Sequence, residues 1–440
     1  MRDPRLLSRA LAEAFLAGRW SARELTARGA VVVGGRPPWL APLARRIAKM
    51  EARDVDAIAK RIQAGAAFRT ATRPPAEIPI VRRWLFREPA FMPGRFDVPA
   101  LATAGELAAW LGLTPGQLDA LADLHGRGRR AREKHRHYRS TWIARPGAAP
   151  RLLEAPRPLL LVLQRAVLRD VLDRVPAHDA AHGFVRGRSA ITFATPHADK
   201  EVVVRLDLEG FFGSVSNARV AAIFATLGYP RDVARLLAGL ATTRAPIEVI
   251  AAAPAADVAS AIGPRFRALR RAAESHLPQG APTSPSLANL AAFGLDVRLA
   301  AAARAAGVTY TRYADDLAFS GDAAFADAST AWVALVARVA AEEGFRLNAR
   351  KTRVARAGVQ QRLAGLVVNA APAVPRAERE RLEAILHRCA TRGAAGENRE
   401  RHPDFRAHLR GRIAWVEAAC PRHAERLLRL FGAIDWSTIP

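Results

Sequence analysis

Two aspartates stand side by side at 315 and 316 in Tyr313-Ala314-Asp315-Asp316, with strand-like residues on both sides, Thr309 to Arg312 before that segment and Leu317 to Gly321 after. The pattern predicts a β-hairpin whose tip holds two mutually repelling carboxylates. An exposed polar turn can carry the same residues. A divalent cation would relieve the repulsion, and hard oxygen ligands suit Mg²⁺. A third carboxylate strengthens the metal reading: Asp207 directly follows the β-branched run Val202 to Leu206 and is expected at the end of a buried strand. Three aspartates on adjacent strands can hold two Mg²⁺ roughly 3.5–4 Å apart, an arrangement that stabilises both attacking and leaving oxygens in phosphoryl transfer.

Charge suggests what such a centre works on. Among 440 residues, 67 Lys and Arg face 41 Asp and Glu, a formal charge of +26, and only five of the cations are lysine. An excess of this size repels itself unless it meets a polyanion, which favours nucleic acid over an acidic metabolite or an inert scaffold. Arg127 to Arg139 concentrates it, with His135, His137 and Tyr138 interleaved. That segment reads either as a phosphate-tracking strip beside a base-stacking ring or as a solvated helix face. Cys389 and Cys420 have no disulfide or metal spacing around them. The apolar runs read from the sequence are shorter than a membrane span, so a cytoplasmic protein without a membrane partner is expected.

Along the chain, Arg- and Ala-rich helical patterns fill residues 1 to about 70, broken at Gly34 to Pro38, and a Pro/Gly-rich stretch over 70–99 reads as a linker or extended strap. Thr103-x-x-Glu106 and Thr114-Pro-Gly-Gln117 predict capped helices, a pair that also admits a helix-turn-helix reading. Between 140 and 370, predicted strands at 202–206, 308–319 and 363–368 alternate with helices at 158–175, 217–227, 286–306 and 324–343. After Pro375 the pattern is helical, with breaks at 393–396 and 421. The expected class is α+β: an α-helical N-terminal extension over 1–110, a mixed body over 111–370 and a helical segment over 371–440.

Five segments carry a family resemblance by their order: LDLEGFF at 206–212, LPQGAPTSPSLANL at 277–290, YADD at 313–316, NARKT at 348–352 and LAGLVVN at 363–369. With RLLEAP at 151–156, QRAVL at 164–168 and AAHGFVRGRSA at 180–190 upstream, and LRGRIAWVEAACPRHAERLLRLF at 409–431 downstream, the chain resembles the retron-type branch of bacterial reverse transcriptases from about residue 135 to the end. The resemblance implies a right-hand polymerase fold, with fingers and palm over 111–370 and a short helical thumb over 371–440. It implies RNA-directed DNA synthesis with two Mg²⁺ on Asp207, Asp315 and Asp316. Phe212 corresponds to the ring beneath the incoming sugar, which excludes a 2′-hydroxyl and selects dNTPs. Leu208, Gln279 and Gly280 are expected along the nucleotide, and Arg151 on its triphosphate, where a planar fork suits phosphate oxygens. Lys351 is a lysine kept where nearly every other cation is arginine. A lysine can donate a proton to departing pyrophosphate, and a guanidinium cannot.

Two places depart from the family pattern. Phe193-Ala194-Thr195-Pro196-His197 stands where Asn-Ala-x-x-His is usual, and Leu363-Ala364-Gly365 where Val-Thr-Gly is usual. Both elements are associated with handling the structured RNA, so the departures bear on the RNA partner and leave polymerase chemistry untouched. The partners implied are a structured non-coding RNA, its RNA-linked DNA copy, dNTPs, and an effector or toxin protein in anti-phage defence. The alternatives are a defence reverse transcriptase without a branched product, and an RNA-binding scaffold that controls a toxin.

Overall fold

The computed structural model describes residues 3–17, 20–51, 54–73, 78–83, 85, 94 and 96–437. Its contacts divide the chain into two compact units, Met1–Met92 and Pro93–Pro440.

In the first unit α1 (Pro4–Leu16), α2 (Ala22–Val33), α3 (Leu40–Ile47), α4 (Val55–Gln63) and α5 (Ala66–Thr72) surround a core of their own. Leu7, Leu11 and Phe15 recur at helical spacing on α1 and are fully buried with Leu25, Leu40, Ile47 and Ile58 from its neighbours. Asp3, Ser21 and Asp54 cap three of the helices by accepting from backbone amides. The break expected at 34–38 is present, where Gly34 turns left-handed and ends α2. Of the Pro/Gly-rich stretch, residues 74–77, 84, 86–93 and 95 lie outside the described residues. Its described part includes Arg82, whose amide donates to the Val32 carbonyl at 2.7 Å.

The second unit opens with α6 (Ala104–Trp110) and α7 (Pro115–Ala122), each starting at its predicted cap. Both pack on the later helix Arg231–Ala241, which is why the compact units divide at Met92 and not near residue 110. Residues 127–139 form no helix. Left-handed Gly126 leads into two 3₁₀ turns, Arg127–Arg130 and Glu133–His135, and then into β1 (Tyr138–Ile143), antiparallel to β2 (Arg151–Pro156). Tyr138 is buried and its hydroxyl accepts from Gln164, so it is not the exposed stacking ring anticipated from its cationic neighbours.

After α8 (Pro158–Asp170) and α9 (Ala190–Ala194) the chain enters β3 (Val202–Asp207). It then runs through α10 (Asn217–Thr226), α11 (Arg231–Ala241), α12 (Ile247–Ala251), α13 (Ile262–Ala273), α14 (Ser284–Ala291) and α15 (Phe293–Ala305). The hairpin β4 (Thr309–Tyr313) and β5 (Asp316–Gly321), the helix α16 (Ala323–Glu342) and β6 (Arg353–Arg356) follow. These strands form one antiparallel sheet in the order β4-β5-β3-β6. By length and composition alone α16, and the bent pair α14–α15 taken together, pass for membrane-crossing helices, a test that buried core helices also pass. In the fold α16 lies on β3 and β5 with Phe325, Trp332, Val336 and Val339 buried.

The predicted strand at 363–368 is instead two short strands, β7 (Arg362–Leu363) and β8 (Leu366–Val367). Ala364 and Gly365 between them both adopt positive φ, 46° and 84°, and reverse the chain. The helices α17 (Arg376–Arg392), α18 (Phe405–Ala419) and α19 (Pro421–Gly432) complete the unit. Their buried Leu382, Leu386, Leu409, Ile413 and Leu427 share one core with Val203 and Ala318 of the sheet.

Candidate active site

Pairing of β3 with β5 sets Asp207 directly opposite Asp316. The amide of Leu208 donates to the Asp315 carbonyl at 2.8 Å, so the three aspartates gather at one end of the sheet. The turn that presents the pair is tight, with Ala314 held left-handed at φ 55°. Arg312 fixes it from beneath. Fully buried, this guanidinium donates to both Asp296 oxygens at 2.8 and 2.6 Å, to Asn289 at 2.9 Å and to the Ala314 carbonyl at 3.1 Å. Tyr310 donates to the same Asp296. Gly183 presses on the turn from outside: a Cβ there would lie 2.5 Å from the Ala314 nitrogen.

Two of the three aspartates carry internal counter-ions. Arg205 donates to Asp316 through three contacts of 2.8–3.0 Å. The Lys351 ammonium lies 2.5 Å from an Asp207 oxygen. Burial, then Asp207 and Asp316, push the Asp315 carboxyl above its ordinary pKa. Asp316 is raised as well, its burial outweighing Arg205. In this arrangement no three His, Cys, Asp or Glu side chains among the described residues form a ready metal cage, and Asp207 and Asp316 are paired with Lys351 and Arg205. The donor chemistry nevertheless fits a hard divalent ion: three carboxylates, one with its proton affinity raised by burial and by the other two, are what such an ion stabilises.

These residues line an open cleft of about 920 Å³ together with Arg151, Leu208, Phe212, Gln279 and Lys351. Arg151 is exposed at the start of β2, whereas the Leu208 side chain is buried. Gly280 is not on the cleft wall. Its φ of 134° and the 3.1 Å from its would-be Cβ to the Glu154 carbonyl bring its backbone against β2, so the close approach expected there is to protein.

Several polar groups escaped the sequence reading. His276 and Glu154 form a buried pair at 2.8 Å, and the Glu154 amide donates to the Gln279 carbonyl at 2.9 Å, tying the Gln279 turn to the strand that bears Arg151. Burial disfavours the His276 cation, yet Glu154 raises its pKa. Glu209 receives Arg267 at 2.8 Å and Arg271 at 3.2 Å. Despite its burial they hold its carboxyl below the ordinary range. Arg205 alone had a signal: two residues before Asp207, it shares that residue's face of the strand. His197, from the departing Phe193–His197 element, is fully buried and hydrogen-bonds Ser320 at 2.7 Å and Thr311 at 2.8 Å, bridging β4 and β5.

Comparison with known proteins fits this geometry. The family model described as reverse transcriptase (RNA-dependent DNA polymerase) matches residues 145–378, which include β3, β4 and β5. The retron Mx65 reverse transcriptase of Myxococcus xanthus is 42% identical over 340 residues, 76% of this chain and 72% of that protein. The retron Mx162 reverse transcriptase of the same organism is 38% identical over 74% of this chain and 66% of its own length. The retron Ec86 reverse transcriptase of Escherichia coli is 26% identical over 68% and 81%. A palm-like sheet with its aspartates at one end, a family match over more than half the chain and relatives at this level of identity lead to one conclusion: the chain belongs to the retron reverse transcriptases and is an RNA-directed DNA polymerase.

Proposed function

We propose that this polymerase copies part of a structured non-coding RNA into a small DNA that stays linked to the RNA, starting from a 2′-hydroxyl of that RNA, and that it serves anti-phage defence with an effector protein. The observation that carries the reading is the meeting of Asp207, Asp315 and Asp316 in a cleft rimmed by arginines. Two Mg²⁺ bound by these carboxylates would supply the Lewis acidity that activates a 3′-hydroxyl and offsets charge on the leaving pyrophosphate. The chain's own groups do the rest. Arg151 holds the triphosphate, the backbone at Leu208 and Gln279 bound the nucleotide, with Gly280 seating the Gln279 turn against β2, and the Phe212 ring bars a 2′-hydroxyl from the sugar site. Lys351, half exposed and seated on Asp207, donates the proton that pyrophosphate needs on departure. Residues 111–370 act as fingers and palm, α17 to α19 as the thumb along the product duplex, and residues 1–110 as an N-terminal extension.

The test is extension of a primed RNA by the purified protein with Mg²⁺ and dNTPs. Asp315→Asn should abolish extension, and extension that survives this change would overturn the metal assignment. Sequencing of the nucleic acid that copurifies with the protein, after separate RNase and DNase treatments, addresses the product: a short DNA joined to RNA supports the retron cycle. Recovery of RNA alone would favour an RNA-binding scaffold that controls a toxin. A defence reverse transcriptase without a branched product is the second reading, favoured by the buried His197, which serves the sheet and leaves the Phe193–His197 element without an exposed histidine for RNA.

A further inference from the structure

The segment just before Phe184 is clamped to the aspartate turn. The Arg312 amide donates to the Ala180 carbonyl, the His182 amide donates to the Arg312 carbonyl, both at 2.7 Å, and Asn289 donates to the Gly183 carbonyl at 2.9 Å. With Gly183 wedged against Ala314, the next residue takes a left-handed backbone: Phe184 has φ 60°. A bulky side chain rarely adopts that conformation, and strain of this kind gathers at functional sites. The ring so presented is 52% exposed and lines the cleft. It lies 5.9 Å, centroid to centroid, from the ring of Phe212. Phe212 in turn touches Phe211 at 5.8 Å, a buried ring packed on Phe345 at 5.7 Å. Among the described residues, then, Phe212 is braced by one ring rooted in the core and one held out on a strained turn.

We infer that Phe184 determines sugar specificity by restraining the Phe212 ring. The inference rests on the reading of Phe212 as the group that excludes a 2′-hydroxyl. A steric gate discriminates only while its ring cannot swing aside. Phe212 is partly exposed in a short 3₁₀ turn, Phe212–Ser214, and the Phe184 ring fills space into which it could move. Because Gly183 ties Phe184 to the turn that carries Asp315, the restraint is registered to the candidate metal site.

The experiment compares kcat/KM for dNTPs and rNTPs on one primed RNA in wild-type protein and in the Phe212→Ala, Phe184→Ala, Phe184→Gly and Phe184→Tyr variants. Phe212→Ala should relax the ratio most. Phe184→Ala and Phe184→Gly should relax it about tenfold, within the range steric pockets supply, chiefly through better ribonucleotide use. Phe184→Tyr, which keeps a ring, should retain the wild-type ratio. Phe184→Gly should also raise Tm, since glycine is at ease in the left-handed region, so lost discrimination would accompany gained stability. If Phe212→Ala relaxes the ratio and the Phe184 variants do not, the inference is overturned while the Phe212 reading stands. If Phe212→Ala has no effect, that reading falls and takes the inference with it. An equal loss for both sugars in Phe184→Ala would also overturn it, pointing to a contact with the template strand.

Discussion

His197 illustrates how one side chain can be decided by its surroundings. Its two nitrogens join Thr311 of β4 to Ser320 of β5, and burial, with His182 and Lys200 adding repulsion, lowers its pKa from 6.5 to about 3. In the folded protein the ring therefore stays neutral, while the unfolded chain takes up a proton near pH 6.5. Stability from this residue is complete above pH 6.5 and is lost progressively as pH falls from there toward 3. Thermal melts between pH 7 and pH 4.5 should show Tm falling with acidity, and His197→Gln should start lower at pH 7 but fall less steeply. A mutant with the wild-type slope would count against this account. At this scale the sequence showed the acids and Lys351, because adjacent carboxylates and a rare lysine are visible in one dimension. The supports were hidden by distance along the chain. Arg312 meets Asp296 and Asn289 from 16 and 23 positions away, and His276 meets Glu154 from 122.

Elements were legible in proportion to how much apolar pattern they carry. The β4–β5 hairpin and β3 could be read because their apolar residues bury on a packed sheet. The apolar run at 363–368 showed a strand but not the reversal at Ala364-Gly365 that splits it into β7 and β8, and the Arg-rich β6 (Arg353–Arg356) is set by tertiary pairing and gives no such signal. The same limit explains residues 127–139, where charge density suggested a helix face and the chain makes 3₁₀ turns. Where two elements meet most closely, at Gly183 and the β4–β5 turn, a single methyl decides the geometry. Gly183→Ala would drive a Cβ to 2.5 Å from a backbone nitrogen, a contact only backbone movement can relieve. We expect a loss of about 1–3 kcal/mol in denaturant unfolding and a fall in extension larger than that loss of folded protein explains, because the displaced turn carries Asp315.

The molecule as a whole contains two separately built units. Composition pointed to a linker over 70–99, and the division after Met92 falls within it; that α6 and α7 then pack on α11 is a contact no local pattern encodes. Each unit has its own core, so calorimetry should resolve two transitions. Phe15→Ala, which empties a fully buried site in the first unit, should cost about 3–5 kcal/mol there and leave the second transition where it was; a common shift of both would mean the cores melt as one. The ion pairs Lys351–Asp207 and Arg205–Asp316 give the larger unit one more property. Its acidic centre carries cationic partners of its own, so on the metal reading proposed above Mg²⁺ would displace Lys351 and Arg205 from Asp207 and Asp316. Those partners would then return when the ion leaves, and the Tm of the larger unit should change little when a chelator is added to the purified protein.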